Sequence, residues 1–107
     1  MGAVKEVTDQ SFDAEVVKNS KPVLVDYWAD WCSPCKQLSP IVAELANEVG
    51  DRMDFVTMDT NANTRVPTEQ GILSLPTLQV WQGGQVVKVL QGAKTKGALL
   101  KALGEFI

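Results

Sequence analysis

The chain has 107 residues, 45% of them hydrophobic, which suits one compact domain and is too short for two, so we expect a single domain over residues 1–107. Its net charge of −3, without a basic cluster, argues against nucleic acid and anionic membranes as partners. The sequence contains no histidine, which excludes Ser-His and Cys-His nucleophiles and most catalytic zinc sites.

The first half of the chain predicts an initial strand, a helix, a second strand and a second helix. Thr8 is a candidate N-cap of a short helix that carries Phe12, Val16 and Val17. Val23–Trp28 is rich in β-branched and aromatic residues and predicts a buried strand. An amphipathic helix that ends at Gly50 follows, with Pro40 as the expected site of a kink. Its apolar positions have the i, i+3, i+4, i+7 spacing: Leu38, Ile41, Val42, Leu45 and Val49.

The second half predicts three more strands and a C-terminal helix. Residues 55–58 predict a buried strand, and residues 60–70 a loop with room for one helical turn. Thr77–Gln82 and residues 85–90 predict a hairpin, because Gly83-Gly84 between them is typical of a two-residue turn. Thr95 is a candidate N-cap for the last helix. Its apolar residues are Leu99, Leu100, Leu103, Phe106 and Ile107. This order predicts an α/β fold whose sheet is parallel in its first half and antiparallel at the hairpin.

The N-terminal residues carry no targeting signal that we recognise. The first twenty residues lack the apolar stretch of a signal peptide, and no apolar run approaches the roughly 20 residues that cross a bilayer. Glu6 stands where N-myristoylation of Met1-Gly2 would need Ser or Thr. We therefore expect a cytoplasmic protein with no membrane partner.

The chemistry of the sequence centres on Cys32 and Cys35, its only cysteines, which lie between a predicted strand and the helix after it. At a helix N-terminus, side chains at i and i+3 are close enough for a disulfide, and the free N–H groups and the helix dipole stabilise a thiolate. We expect Cys32, at the end of the loop, to be exposed and to act as the nucleophile, and Cys35 to be the resolving thiol. Pro34 suits the first helical turn, where its missing N–H costs nothing.

Three other interpretations of the cysteine pair are weaker. A zinc site needs about four ligands, and the chain has no further cysteine and no histidine. A structural disulfide that closes so short a loop removes little chain entropy, and cytosolic disulfides are rare. The third interpretation is that the spacing of the two cysteines is coincidental. A CxxC beside a βαβ pattern is typical of a redox site.

Asp26 lies in the middle of an apolar predicted strand. A carboxylate there is costly unless it is paired, hydrated or protonated, and the sequence shows no obvious cationic partner. We expect its pKa to be raised into the range where a general acid or base is useful near neutral pH. The alternative is an aspartate at a strand end that caps the next loop.

Two tryptophans and a proline surround the predicted site. Of Trp28 and Trp31, we expect one in the core and one exposed, and packing is favoured for Trp28. Pro76 precedes a strand and would interrupt its hydrogen bonding unless it stood at the first residue, since proline has no N–H to donate. From the residues alone, a cis bond before it is the less frequent outcome.

Over essentially its whole length the chain resembles the thioredoxin family. The resemblance is carried by residues 8–12, 22–29, 31–36, 71–72, 76–78, 83–84 and 91–93. It implies a central mixed five-stranded sheet flanked by four helices. It also implies a monomeric protein-disulfide reductase that needs no cofactor or metal, acts on disulfides of target proteins and is re-reduced by a thioredoxin reductase.

The resemblance also implies residue roles. Cys32 resembles the family's nucleophile, Cys35 its resolving cysteine, and Asp26 the buried acid/base for Cys35. Pro76 resembles its cis-proline, which lies against the disulfide and shapes the groove for the substrate backbone. The positions that match the docking surface for substrates are Trp31, Ser33, Pro34, Leu75, Pro76, Gly92 and Ala93.

The chain departs from the family pattern at several positions. Ser33 replaces the usual glycine between the cysteines, where the superfamily tunes its redox potential. No lysine occurs between Lys36 and Lys88, whereas family members often place one near the buried aspartate. Gln91 makes the docking rim more polar. The competing functions are an oxidant or isomerase with this fold, and a non-catalytic binding module whose cysteines are incidental.

Overall fold

Five strands form one mixed sheet in the computed structural model, which describes residues 4–107. Met1 and Gly2, for which Glu6 argues against N-myristoylation, lie outside these residues. In chain order the strands are β1 (Lys5–Glu6), β2 (Val23–Trp28), β3 (Asp54–Asp59), β4 (Thr77–Gln82) and β5 (Gln85–Gln91). Their order across the sheet is β1-β3-β2-β4-β5. β1, β3 and β2 are parallel, and β4 and β5 are antiparallel to their neighbours, so the expected mixed sheet is confirmed.

Four helices accompany the sheet within residues 4–107, as expected. They are α1 (Asp13–Val17), α2 (Ser33–Val49), α3 (Arg65–Glu69) and α4 (Lys96–Leu103). The hydrogen bonding of α1 is of the π type: the Lys18 N–H donates to the Asp13 carbonyl oxygen at 2.9 Å. α2 continues through the exposed Pro40 and ends before Gly50, whereas the Thr95 hydroxyl caps α4 by accepting from the Ala98 N–H.

The helices cover both faces of the sheet because side chains of a strand alternate between them. Leu24 of β2 packs with α2 and α4, through residues such as Leu38 and Leu99. Val23, Val25 and Tyr27 face the other side, where they pack with α1 and α3. By the same alternation, Asp26 shares the α2 face with Leu24, which directs its carboxyl toward the start of α2.

The helix α3, expected to be at most a turn, is capped by a residue that is distant in sequence. The Asp9 carboxylate accepts hydrogen bonds from the N–H groups of Thr64, Arg65 and Val66, at 3.2, 3.0 and 2.9 Å. These are the N–H groups that a helix start leaves without partners. The Val66 N–H is the main cause that lowers the pKa of Asp9. Asp9 thereby fixes the segment that precedes β4.

No helix within residues 4–107 is long and apolar enough to cross a bilayer.

Candidate active site

The two cysteines lie at the start of α2 and are joined by a disulfide. Cys32 is the N-cap residue, with extended backbone dihedrals, and its Sγ accepts a hydrogen bond from the Cys35 N–H at 3.2 Å. Ser33 and Pro34 form the first helical turn and are exposed. The Cα atoms of Cys32 and Cys35 are 5.3 Å apart, within the usual range for a disulfide. The helix N-terminus therefore faces the Cys32 sulfur with an N–H donor.

The expectation that Cys32 is exposed is wrong for the disulfide form. The exposed fraction is 4% for Cys32 and 3% for Cys35. Both pack in one apolar cluster with Ala29, and Trp28 and Leu75 cover it. Each sulfur also shields the other, because the two are bonded. What distinguishes the cysteines is their position on the helix, not their exposure.

Asp26 is buried beside this cluster with an exposed fraction of 3%. Its Oδ1 atom has no hydrogen-bond partner among the described residues. Burial raises the pKa of the Asp26 carboxyl to about 7. The raised pKa predicted from the sequence agrees with this geometry, and the alternative of a capping aspartate at a strand end does not.

Asp26 and Cys35 both line an open cavity of about 300 Å³. Thr57 lies directly across from Asp26 in the neighbouring parallel strand and lines the same cavity. Its other lining residues are Trp28, Ala29, Asp30, Lys36 and Ser39. Asp26 of β2 and Cys35 of α2 therefore border one solvent-accessible space.

Trp31 borders the cysteines from the loop before α2, and 69% of its side chain is exposed. Its indole Nε1 donates to Asn61 Oδ1 at 3.3 Å, and Asn61 Nδ2 donates to Asp30 Oδ1 at 2.9 Å. The Asn61 backbone N–H donates to Asp59 Oδ1 at 2.9 Å, which holds the residue itself. One amide side chain thus connects two neighbouring residues of the loop before α2 to the end of β3.

The loop before β4 forms the opposite side of the site. Leu75 packs on the disulfide cluster, and the bond between Leu75 and Pro76 is cis. The Gly92 N–H donates to the Pro76 carbonyl oxygen at 2.9 Å, which brings the end of β5 to this loop. Ala93 follows Gly92 and is exposed. Gly92 has φ +83°, a conformation that favours glycine.

The thioredoxin family model matches residues 3–105 of the chain. The chain belongs to the thioredoxin family. Its cysteine pair, at disulfide distance on a helix N-terminus, is the redox centre of a thiol–disulfide oxidoreductase.

Several curated proteins are similar to the chain over most of its length. A thioredoxin of Streptomyces clavuligerus is 47% identical over 100 residues, which are 94% of this chain and 92% of that protein. A thioredoxin of Pyropia yezoensis is 42% identical over 98% of both chains. A bifunctional thioredoxin reductase/thioredoxin of Mycobacterium leprae is 43% identical over 99% of this chain and 23% of its own length.

Sequence reasoning missed two residues of the site of this thioredoxin-family protein. Thr57 could have been found by aligning the two predicted parallel strands, because it pairs with Asp26 and its side chain lies on the same face of the sheet. Asn61 gave no signal, because its partners lie 30 and 31 residues away. Within residues 4–107, no three Cys, Asp or Glu side chains converge to hold a metal ion.

We expect Asn61→Leu to slow reduction of protein disulfides about fivefold, since it removes both side-chain bonds that hold Trp31 and Asp30. Asn61→Asp keeps the acceptor for Trp31 but places a second carboxylate beside Asp30. The reduction rate that this variant loses should therefore be partly restored by added salt, which screens the repulsion. Initial rates with a protein disulfide and with hydroxyethyl disulfide measure the effect. Equal rates for parent and Asn61→Leu would contradict it.

Proposed function

We propose that the protein reduces disulfides of target proteins through a two-step exchange. The Cys32 thiolate attacks one sulfur of the target disulfide, forms a mixed disulfide and releases the first target thiolate. Cys35 then attacks the Cys32 sulfur, forms the Cys32–Cys35 disulfide and releases the second target thiolate. Two electrons pass to the target, and both of its sulfurs end as thiols after protonation.

The roles of the two cysteines rest on one observation, the position of Cys32 as N-cap of α2. Its sulfur accepts the Cys35 N–H and lies at the positive end of the helix dipole, which favours its thiolate in the reduced protein. Cys35 lies inside the first turn of α2, one turn after Cys32, so it is placed to attack the Cys32 sulfur of the mixed disulfide.

Asp26 is proposed as the base for Cys35. Its carboxyl shares a cavity with Cys35, and burial raises its pKa to about 7. A group that titrates there can accept a proton from a thiol and release it again near neutral pH. Thr57, a neutral residue, lies across from Asp26 on β3 and lines the same cavity.

The docking surface proposed for target segments surrounds the disulfide. Its residues are Trp31, Ser33, Pro34, Leu75, Pro76, Gly92 and Ala93. Support comes from the exposure of Trp31, from the packing of Leu75 on the disulfide cluster, and from the bond between Gly92 and Pro76. The cis Leu75–Pro76 bond agrees with the family's proline.

We also propose that the chain acts as a single domain and a monomer in the cytoplasm, and that a thioredoxin reductase re-reduces it. The bifunctional Mycobacterium leprae relative, whose name joins a thioredoxin reductase to a thioredoxin, supports this partner.

The equilibrium potential of the Cys32/Cys35 couple tests the direction of electron flow. Measured against glutathione at pH 7, we expect a reducing potential near the value of about −270 mV that is typical of thioredoxin. A value near about −180 mV, as in a protein disulfide isomerase, would assign the protein to the oxidant class instead.

A further inference from the structure

Leu73 is almost completely exposed. The exposed fraction of its side chain is 97%, the highest of any large hydrophobic residue in the part of the chain that the structure describes. Residues on both sides of it in the chain are packed. Ile72 contacts the hydrophobic core on the face of the sheet that α1 and α3 cover, and Leu75 packs on the disulfide cluster. The loop therefore presents Leu73 to solvent although both ends of the segment are fixed.

Leu73 lies two residues before Leu75, which packs on the cysteine cluster. Two residues of extended chain span at most about 7 Å, so the Cα of Leu73 is within that distance of the Cα of Leu75. Leu75 itself contacts the cysteine cluster. Leu73 is therefore adjacent to the docking surface but is not one of its assigned residues.

The surroundings of Leu73 carry no charge in sequence. No charged residue occurs between Glu69 and Lys88, and residues 89–93 are uncharged as well. The loop before β4 and the end of β5, which meet at the Gly92–Pro76 hydrogen bond, therefore offer an uncharged surface. A target segment with an apolar side chain can bind this surface without removing water from a charged group. A charged side chain would lose hydration there and gain no opposite charge on the surface.

We propose that Leu73 is a specificity residue, which contacts an apolar side chain next to the cystine of the target and so favours such targets. This inference rests on the proposed function, because the target segment contacts Leu73 only when its disulfide is positioned for attack by Cys32. The occupant is an extended, uncharged segment of a target protein. A second copy of this chain, associated through Leu73, is the alternative that the test must separate.

The test compares two oxidised peptides that differ only in the residue beside one cysteine, Leu in one and Ser in the other. Pre-reduced protein is mixed with each in a single turnover, and the second-order rate constant is measured. We expect the parent to reduce the Leu peptide roughly three- to tenfold faster, as burial of part of a leucine side chain allows. Leu73→Ser should remove this preference.

Val87→Ser is the matched control. Val87 is also exposed, at 47%, but lies five residues before Gly92 on β5, roughly 16 Å along the strand from the site. This variant should keep the preference of the parent. Hydroxyethyl disulfide, which has no side chain to reach Leu73, should be reduced equally by all three proteins.

Each other outcome has its own meaning. A preference that survives Leu73→Ser, or a parent without preference, overturns the inference. So does sedimentation at working concentration that shows a dimer dissociated by Leu73→Ser, which would assign Leu73 to self-association. Failure of the parent to reduce even hydroxyethyl disulfide would instead overturn the proposed function.

Discussion

Cys35→Ser is expected to accumulate a covalent adduct with a target disulfide through Cys32, at close to one target per protein. The variant keeps the sulfur at the helix N-cap and removes the thiol that resolves the mixed disulfide. The hydroxyl of the introduced serine does not attack a disulfide under these conditions. Turnover should fall to the uncatalysed background, and non-reducing electrophoresis or intact mass measures the adduct.

Cys32→Ser is the matched variant. It removes the sulfur that accepts the helix N–H and leaves Cys35 within the first turn, so we expect neither turnover nor adduct. An adduct of comparable yield through Cys35 would reverse the proposed roles. Full biological activity of a variant with both cysteines replaced by serine would favour the binding-module alternative, in which the cysteines are incidental.

Asp26→Ala is expected to stabilise the folded protein by about 3 kcal/mol at pH 7. The carboxyl ionises at about 3.9 in an unfolded chain, whereas burial raises its pKa to about 7 in the fold. Ionisation therefore favours the unfolded state by about 4 kcal/mol at neutral pH. Alanine removes this cost and loses about 1 kcal/mol of packing.

The pH dependence follows from the direction of the shift. Below about pH 4 the carboxyl is protonated in both states, so it contributes no difference in stability. As pH rises toward 7, only the unfolded chain releases the proton, and the parent loses stability relative to Asp26→Ala. Above about pH 7 the folded carboxyl ionises too, and the difference becomes constant.

Denaturant unfolding of the oxidised proteins from pH 4 to pH 8 measures this difference. Asp51→Ala, which changes an exposed carboxylate in the turn after α2, is the control and should show no such pH-dependent gain. If Asp26→Ala were less stable than the parent at pH 7, Asp26 would be a paired structural carboxylate.

The same variant should reduce protein disulfides at least about tenfold more slowly at pH 7, because Cys35 loses the base that shares its cavity. The rate of the parent should change with an apparent pKa near 7 that the variant lacks. If Asp26→Ala reduced protein disulfides as fast as the parent but was still more stable, Asp26 would be a buried carboxylate without a role in the mechanism.

Much of this protein could be predicted from local patterns in the sequence. The strands β2 and β4 begin and end where their β-branched and aromatic runs do, and Thr95 caps α4 as its position indicates. The cysteine pair at the start of a helix follows from the strand before it and the apolar periodicity after it. Such features depend on residues within a few positions of one another, so a sequence window contains their cause.

Tertiary structure alone decided the features that join distant segments. The carboxylate of Asp9 caps α3 from 57 residues before Val66, and Asn61 holds Trp31 across 30 residues. The burial of Cys32 depends on Leu75, which arrives from the loop before β4. The cavity beside Asp26 needs β2, β3 and α2 packed together. Each depends on hydrogen-bond or van der Waals distances that exist only after the sheet and its helices have assembled, and no local pattern of residues encodes them.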